Sequence, residues 1–143
     1  MIILDTNVLL ELLAPSPAPA VLAWLAAQPP QAVFATAITE AEILCGLALL
    51  PEGRRRQALE AAVKPIFVED LAGRVLSFDP DAAQSYAAIA ARRRAVGRPI
   101  SQFDAQIAAI AASRGASVAS RNVADFAETG VDIVNPWDFC SLD

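Results

Sequence analysis

Ile2-Ile3-Leu4-Asp5-Thr6-Asn7 sets three apolar β-formers in a row and stops them on a carboxylate. A run with no polar break reads as a strand covered on both faces, as in a parallel sheet. Asp5 then falls at the carboxyl end of that strand, where open α/β sheets gather their ligands. A charged group there needs partners. Glu42, Asp104 and Asp125 stand at positions equally hard to explain as solvated surface, and the four acids together read as a metal site.

Outward from this strand, helical and strand signals alternate. Thr6 to about Leu13 reads as a short helix stopped by Pro15 and Pro17, and Ala20 to Ala27 as helix until Pro29-Pro30. Val33-Phe34-Ala35 is a second strand. Thr39 to Leu49 is a helix with a clear start signal, ended by Pro51, and Glu52 to Val63 is amphipathic and closed by Pro65. Ile66-Phe67-Val68 and Val75-Leu76-Ser77-Phe78 are both strand-like, with one of them expected in the sheet. Asp79-Pro80 opens a long helix, a cap followed by Pro at the first helical position, that runs to about Val96 before Gly97 and Pro99. Ser101 caps the next helix, which ends at Arg114-Gly115. Ser117 to Ala119 and Asp132 to Val134 are the last strands. The class is α/β, with a mainly parallel central sheet flanked by helices. No repeat, low-complexity tract or linker divides the chain, so residues 1–143 are expected to form one domain.

Composition bounds the function. Hydrophobic residues make up 55% of the 143 and charged ones 19%, which excludes a disordered chain. No segment approaches the ~20 apolar residues that span a bilayer, and the opening run, without a basic start and interrupted by Asp5 and Glu11, is not expected to be a signal peptide. Cys45 and Cys140 form no motif; Cys45 is expected as a small core residue, and a reducing, cytoplasmic setting fits both. Histidine is absent, so base chemistry by imidazole and His-containing zinc sites are excluded. The net charge of −5 argues against a nucleic-acid partner at first. Yet seven of the eleven basic residues fall in two clusters, Arg54-Arg55-Arg56 and Arg92-Arg93-Arg94 with Arg98. If four carboxylates are gathered around cations, the remaining surface is much less acidic than the sum.

Each acid has a structural reading beside the functional one. Asp5 fits an N-cap for the helix starting at Thr6, and Asn7 could add an amide oxygen to the same site. Glu42 closes Thr39-Glu40-Ala41-Glu42, a capping-box pattern. A carboxylate at a helix N-terminus is also favoured by the dipole, so cap and ligand are compatible. Gly46, one turn on, costs roughly 1 kcal/mol relative to Ala in a helix and leaves room for another element beside Glu42. Asp104 lies in line with Ile107, Ala108 and Ala111 on one helical face, so it points toward the core, where an unpaired carboxylate is expensive. Asp125 follows the strand Ser117 to Ala119, as Asp5 follows the first.

The ordered set of motifs resembles a PIN-domain endoribonuclease, the VapC-type toxin of a type II toxin–antitoxin pair, in the FitB-like group. The resemblance rests on Ile2 to Leu9, on Thr39 to Gly46, and on Gly97-Arg98-Pro99-Ile100 with Phe103-Asp104-Ala105-Gln106-Ile107-Ala108. It continues through Arg121-Asn122 with Asp125-Phe126 to Val134-Asn135-Pro136-Trp137. It implies that Asp5, Glu42, Asp104 and Asp125 bind Mg²⁺ or Mn²⁺ and carry catalysis, with polar support from Thr6, Asn7, Ser120 and Asn122. Ser120 stands where many relatives have Thr; the hydroxyl is kept.

Hard oxygen ligands with an incomplete shell suit Mg²⁺ or Mn²⁺, leave sites for water and phosphate, and point to hydrolysis by metal-activated water. The resemblance further implies a homodimer and a cognate antitoxin that blocks the acidic pocket, which is a natural receptor for Arg. Arg92, Arg93, Arg94 and Arg98 are candidates for guiding RNA to the pocket. The main alternative is a PIN-like interaction module without catalysis. A receiver domain would want paired acids after the first strand and a late lysine, whereas the one lysine is Lys64. A small phosphatase would want an Asp-x-Asp start.

Overall fold

The structure, a computed structural model, describes residues 1–140. Five strands, Ile2–Leu4 (β1), Val33–Thr36 (β2), Val75–Leu76 (β3), Ser117–Ala119 (β4) and Ile133–Val134 (β5), lie side by side in the order β3-β2-β1-β4-β5. Every pair is parallel. Six helices surround them: Thr6–Leu13 (α1), Pro19–Ala26 (α2), Ala37–Ala48 (α3), Arg54–Pro65 (α4), Pro80–Ala95 (α5) and Gln102–Arg114 (α6). The expected α/β class and parallel sheet are both present.

Strand alternation splits the core in two. Ile3 and Val118 face α5 and α6, where Ile89, Ile107, Ile110, Phe126 and a set of buried alanines close the packing. Leu4, Val33, Ala35 and Ala119 face the other way, onto Val8, Leu9, Val21, Trp24, Ile43 and Leu47 of α1, α2 and α3. This two-sided burial is why β1 carries no polar residue. Each large side chain so buried contributes about 1.5–3 kcal/mol.

Register then places the site. Leu4 pairs with Ala119, and the Asp5 N–H donates to the Ala119 carbonyl at 2.9 Å. Asp5 and Ser120, the next residues of their strands, are therefore neighbours across the sheet edge. The chain leaves β1 toward β2 on one side and returns as β4 on the other. The crevice above the β1–β4 pair is thus the topological switch point, where open sheets bind ligands.

Local chemistry explains most helix starts. Asp79 accepts from the Ala82 N–H at 2.9 Å with Pro80 at the first helical position, and Ser101 accepts from the Asp104 N–H at 3.2 Å. Gly115, at φ +63°, ends α6 in the left-handed conformation that glycine adopts freely.

Three expectations need correction. The cap of α3 is Thr36, whose hydroxyl accepts from the Thr39 N–H at 3.1 Å, so Thr39 and Glu42 are not a capping box. Ile66–Asp70 is a π-helical continuation of α4, not a strand; the Leu71 N–H reaches back to the Ile66 carbonyl at 2.8 Å. The strand that joins the sheet is β3. Cys45 is exposed: Ile43 and Leu47 hold the buried face of α3, and a residue midway between them points outward. Residues 141–143 of the expected domain lie outside the described residues.

Candidate active site

Asp5 is almost entirely buried, at 4% exposure, and its carboxylate is closely fitted with donors. Oδ1 accepts from the Thr6 N–H at 2.8 Å. Oδ2 accepts from the Ser120 hydroxyl at 2.7 Å and from the Asn7 amide at 3.2 Å. No cation pairs with it: the two ion pairs among the described residues, Arg56–Glu60 and Arg114–Asp79, involve none of the four candidate acids. Burial raises its pKa above the ordinary 3.8 of an aspartate, the Ser120 and Thr6 hydrogen bonds oppose that, and the charges of Asp104 and Glu42 raise it further.

Ser120 and Asn7 tie the two strand ends together. The Asn7 amide also donates to Ser120 Oγ at 3.2 Å, and its Oδ1 accepts from the Arg121 N–H at 3.3 Å. Ser120 Oγ accepts in turn from the Asn122 N–H at 3.1 Å. Asn122 thus supports the site through its backbone.

Glu42 sits on the second turn of α3, and Oε1 accepts from the Thr6 hydroxyl at 2.9 Å. Thr6 Oγ1 also lies 3.0 Å from Thr39 Oγ1, so a chain of hydroxyls joins α1 to α3. Thr39, fully buried, is the member the sequence reading misplaced as a cap. Its three-residue spacing from Glu42, which puts both on one helical face, is the signal that could have found it. Gly46 meets no element: nothing lies within 4 Å of where its Cβ would stand. The space is instead an open, mostly apolar groove of about 400 Å³ bordered by Thr6, Leu10, Glu42, Gly46 and Leu59.

Asp104, half-buried in the first turn of α6, has its pKa raised by burial, lowered by the Ser101 hydrogen bond, raised by the charge of Asp125 and lowered by that of Arg93. Asp125 is exposed, in the 3₁₀ turn Val123–Phe126 that follows β4. The four acids therefore feel one another in a chain from Glu42 through Asp5 and Asp104 to Asp125. They are not closed on a common point: among the described residues no three acidic or cysteine side chains are close enough to hold an ion by themselves. Carboxylate and hydroxyl oxygens with no nitrogen or sulfur donor fit a hard divalent cation, and an open cluster leaves the rest of its shell to water or phosphate.

The arginines divide. Arg92, Arg94 and Arg98 are exposed, but Arg93 is buried at 5% exposure. Its Nε donates to the Arg98 carbonyl at 2.6 Å, and its Nη1 to the carbonyls of Asp125 and Ala127 at 3.1 and 2.6 Å. Spent on backbone, Arg93 is not a surface cation for RNA, and that expectation is withdrawn for it. Arg121, given no role of its own in the sequence reading, stacks its guanidinium 5.0 Å above the Trp137 ring.

A five-stranded parallel sheet in this order, flanked by helices and with a carboxylate buried at the end of its central strand, defines an α/β domain. The chain belongs to the PIN domain family, whose model matches residues 2–131. It is 44% identical over 138 residues to the VapC ribonuclease Y4jK of Sinorhizobium fredii, covering 96% of this chain and 99% of that one. It is 38% identical over 137 residues to the toxin FitB of Neisseria gonorrhoeae, again at 96% and 99% coverage. The structure of FitAB bound to an IR36 DNA fragment superimposes at a TM-score of 0.91, with 36% identity over the whole of both chains. The resemblance read from the motifs is borne out.

Proposed function

We propose that this protein is a metal-dependent endoribonuclease, the toxin of a VapBC-type toxin–antitoxin pair, hydrolysing RNA phosphodiester bonds. The observation that carries the reading is Asp5: a buried carboxylate with three donors, no pairing cation, and the like charges of Asp104 and Glu42 around it. Kinship to the VapC ribonuclease and to FitB supports the activity and the toxin role.

A bound Mg²⁺ or Mn²⁺ would supply an ionised water as nucleophile and shield the phosphate charge. Asp5, Asp104, Glu42 and Asp125 would hold it. The hydrogen bonds of Thr6, Asn7 and Ser120 fix the Asp5 carboxylate and keep it oriented into the crevice. Thr6 and Thr39 orient Glu42. Ser120 is fully buried and its hydroxyl is committed to Asp5, so it is no nucleophile. Hydrolysis then needs no covalent enzyme intermediate.

Exposed Arg92, Arg94 and Arg98 lie around the end of α5, close to Asp125 through Arg93, and are suited to guiding RNA. The partner implied by kinship is a cognate antitoxin, and the protein is a homodimer on the same grounds. The apolar groove bordering Glu42 suits an antitoxin segment that delivers an arginine to the acids. Cys45 and Cys140 are both free thiols, and no described helix is long and apolar enough to cross a membrane, which accords with a cytoplasmic protein.

A second reading, a PIN-like interaction module without catalysis, draws on the carboxylates' failure to close on a common point. Asp104→Asn separates the two. Cleavage of RNA lost in a variant with wild-type circular dichroism supports the nuclease; undiminished turnover in Asp104→Asn would sink it.

A further inference from the structure

A buried guanidinium ordinarily sits against a carboxylate, because taking the charge out of water unpaired is costly. Arg93 does not. Its three hydrogen bonds all go to backbone carbonyls, and they come from two separate segments. Arg98 belongs to the turn between α5 and α6, which leads through Ser101 to Asp104. Asp125 and Ala127 belong to the turn after β4. One planar fork thus joins the segments that deliver two of the four acids.

The second turn needs such a clamp. Within it, the Asp125 N–H reaches the Asn122 carbonyl at 3.0 Å and the Ala127 N–H reaches that of Ala124 at 3.3 Å, both local bonds that set its shape but not its place. The Phe126 side chain pins it to the core at one point. Arg93 supplies the further points that fix its rotation, one of them the carbonyl of Asp125 itself. Its charge also reaches the Asp104 carboxyl.

We propose that Arg93 is a positioning residue that sets Asp104 and Asp125 at the spacing needed to share a divalent cation, an inference that rests on reading these acids as a metal site. Lysine keeps the charge and loses the fork: one ammonium cannot reproduce the three bonds of the guanidinium. Second-layer contacts of this kind are worth about 10- to 100-fold in metal affinity.

The test is calorimetric titration of the chelator-treated full chain with Mn²⁺, without RNA. Arg93→Lys should bind Mn²⁺ about 10-fold or more weakly, while Arg55→Gln on the exposed face of α4 binds as wild type. In an Asp125→Asn background, Arg93→Lys should cost less than in the wild type, because one of the two carboxylates it positions no longer holds the ion. Wild-type affinity in Arg93→Lys, or a loss of equal size in both backgrounds, overturns the proposal and leaves the nuclease reading standing. A wild-type chain that binds no Mn²⁺ overturns the metal reading and this inference with it. Hydrogen exchange of the wild type decides the case if Arg93→Lys does not fold. Amides of 123–127 should be protected before metal is added; protection that arises only with Mn²⁺ would show that the ion, not Arg93, orders the turn.

Discussion

At Asp5, three donors converge on a carboxylate that burial and like charge both disfavour as an anion. Asp104 shares the raised pKa. Each group keeps its proton in the folded chain at pH values where the unfolded chain has released it. Folding therefore binds protons, and their contribution to stability falls as pH rises above 3.8, reaching its full penalty once both groups are ionised in the folded state. In metal-free protein, Asp5→Asn should raise the thermal midpoint at neutral pH, with the gain shrinking toward pH 4; a gain that grows on acidification would contradict the burial argument. Ser120→Ala should act oppositely, stripping a donor from Asp5 and an acceptor from the Asn122 N–H at a cost of about 1–3 kcal/mol by urea unfolding. The burial of Asp5 and the half-burial of Asp104 were legible in the sequence because a strand end and a core-facing helix position are poor places for solvated carboxylates, whereas Asp125, read the same way, is exposed. Thr39 and Arg93 were not legible. A threonine in a helix's first residues looks like a cap, and an arginine among arginines looks like surface; only tertiary contacts tell otherwise.

The elements were read correctly where local chemistry alone decides them. Asp79-Pro80, Ser101 and Gly115 mark their boundaries through side-chain caps and backbone freedom, and the alternation of apolar runs gave the parallel sheet. Errors fell where two local signals competed. Thr36 and Thr39 each offer a hydroxyl three residues ahead of a hydrogen-bonding side chain; pairing of Thr36 with Leu76 at the end of β2 selects the first. Ile66-Phe67-Val68 has strand composition, but the helix above it continues, and the Arg74 guanidinium fastens the following turn to the carbonyls of Val33 and Asp70. Thr36→Ala should cost about 1 kcal/mol through loss of the α3 cap. It should also weaken Mn²⁺ binding, since α3 carries both Thr39 and Glu42; a stability loss with unchanged Mn²⁺ affinity would detach the cap from the site.

For the molecule as a whole, the proposed reading sets Asp5, Glu42, Asp104 and Asp125 where a cation would offset four of the sixteen acidic charges. Mn²⁺ at saturating concentration should therefore raise the thermal midpoint of the wild type and leave Asp5→Asn nearly unmoved, because only the folded chain assembles the acids. The overall charge of −5 does not forbid an RNA substrate when a bound cation offsets part of it and Arg92, Arg94 and Arg98 are exposed. The most direct measurement is cleavage of total RNA by the purified chain, freed of antitoxin and treated with chelator, before and after Mg²⁺ or Mn²⁺ is restored, with Asp5→Asn alongside. Cleavage that appears only with the ion and is lost in Asp5→Asn is the predicted result. Cleavage that persists in chelator, or equally in Asp5→Asn, would contradict the account.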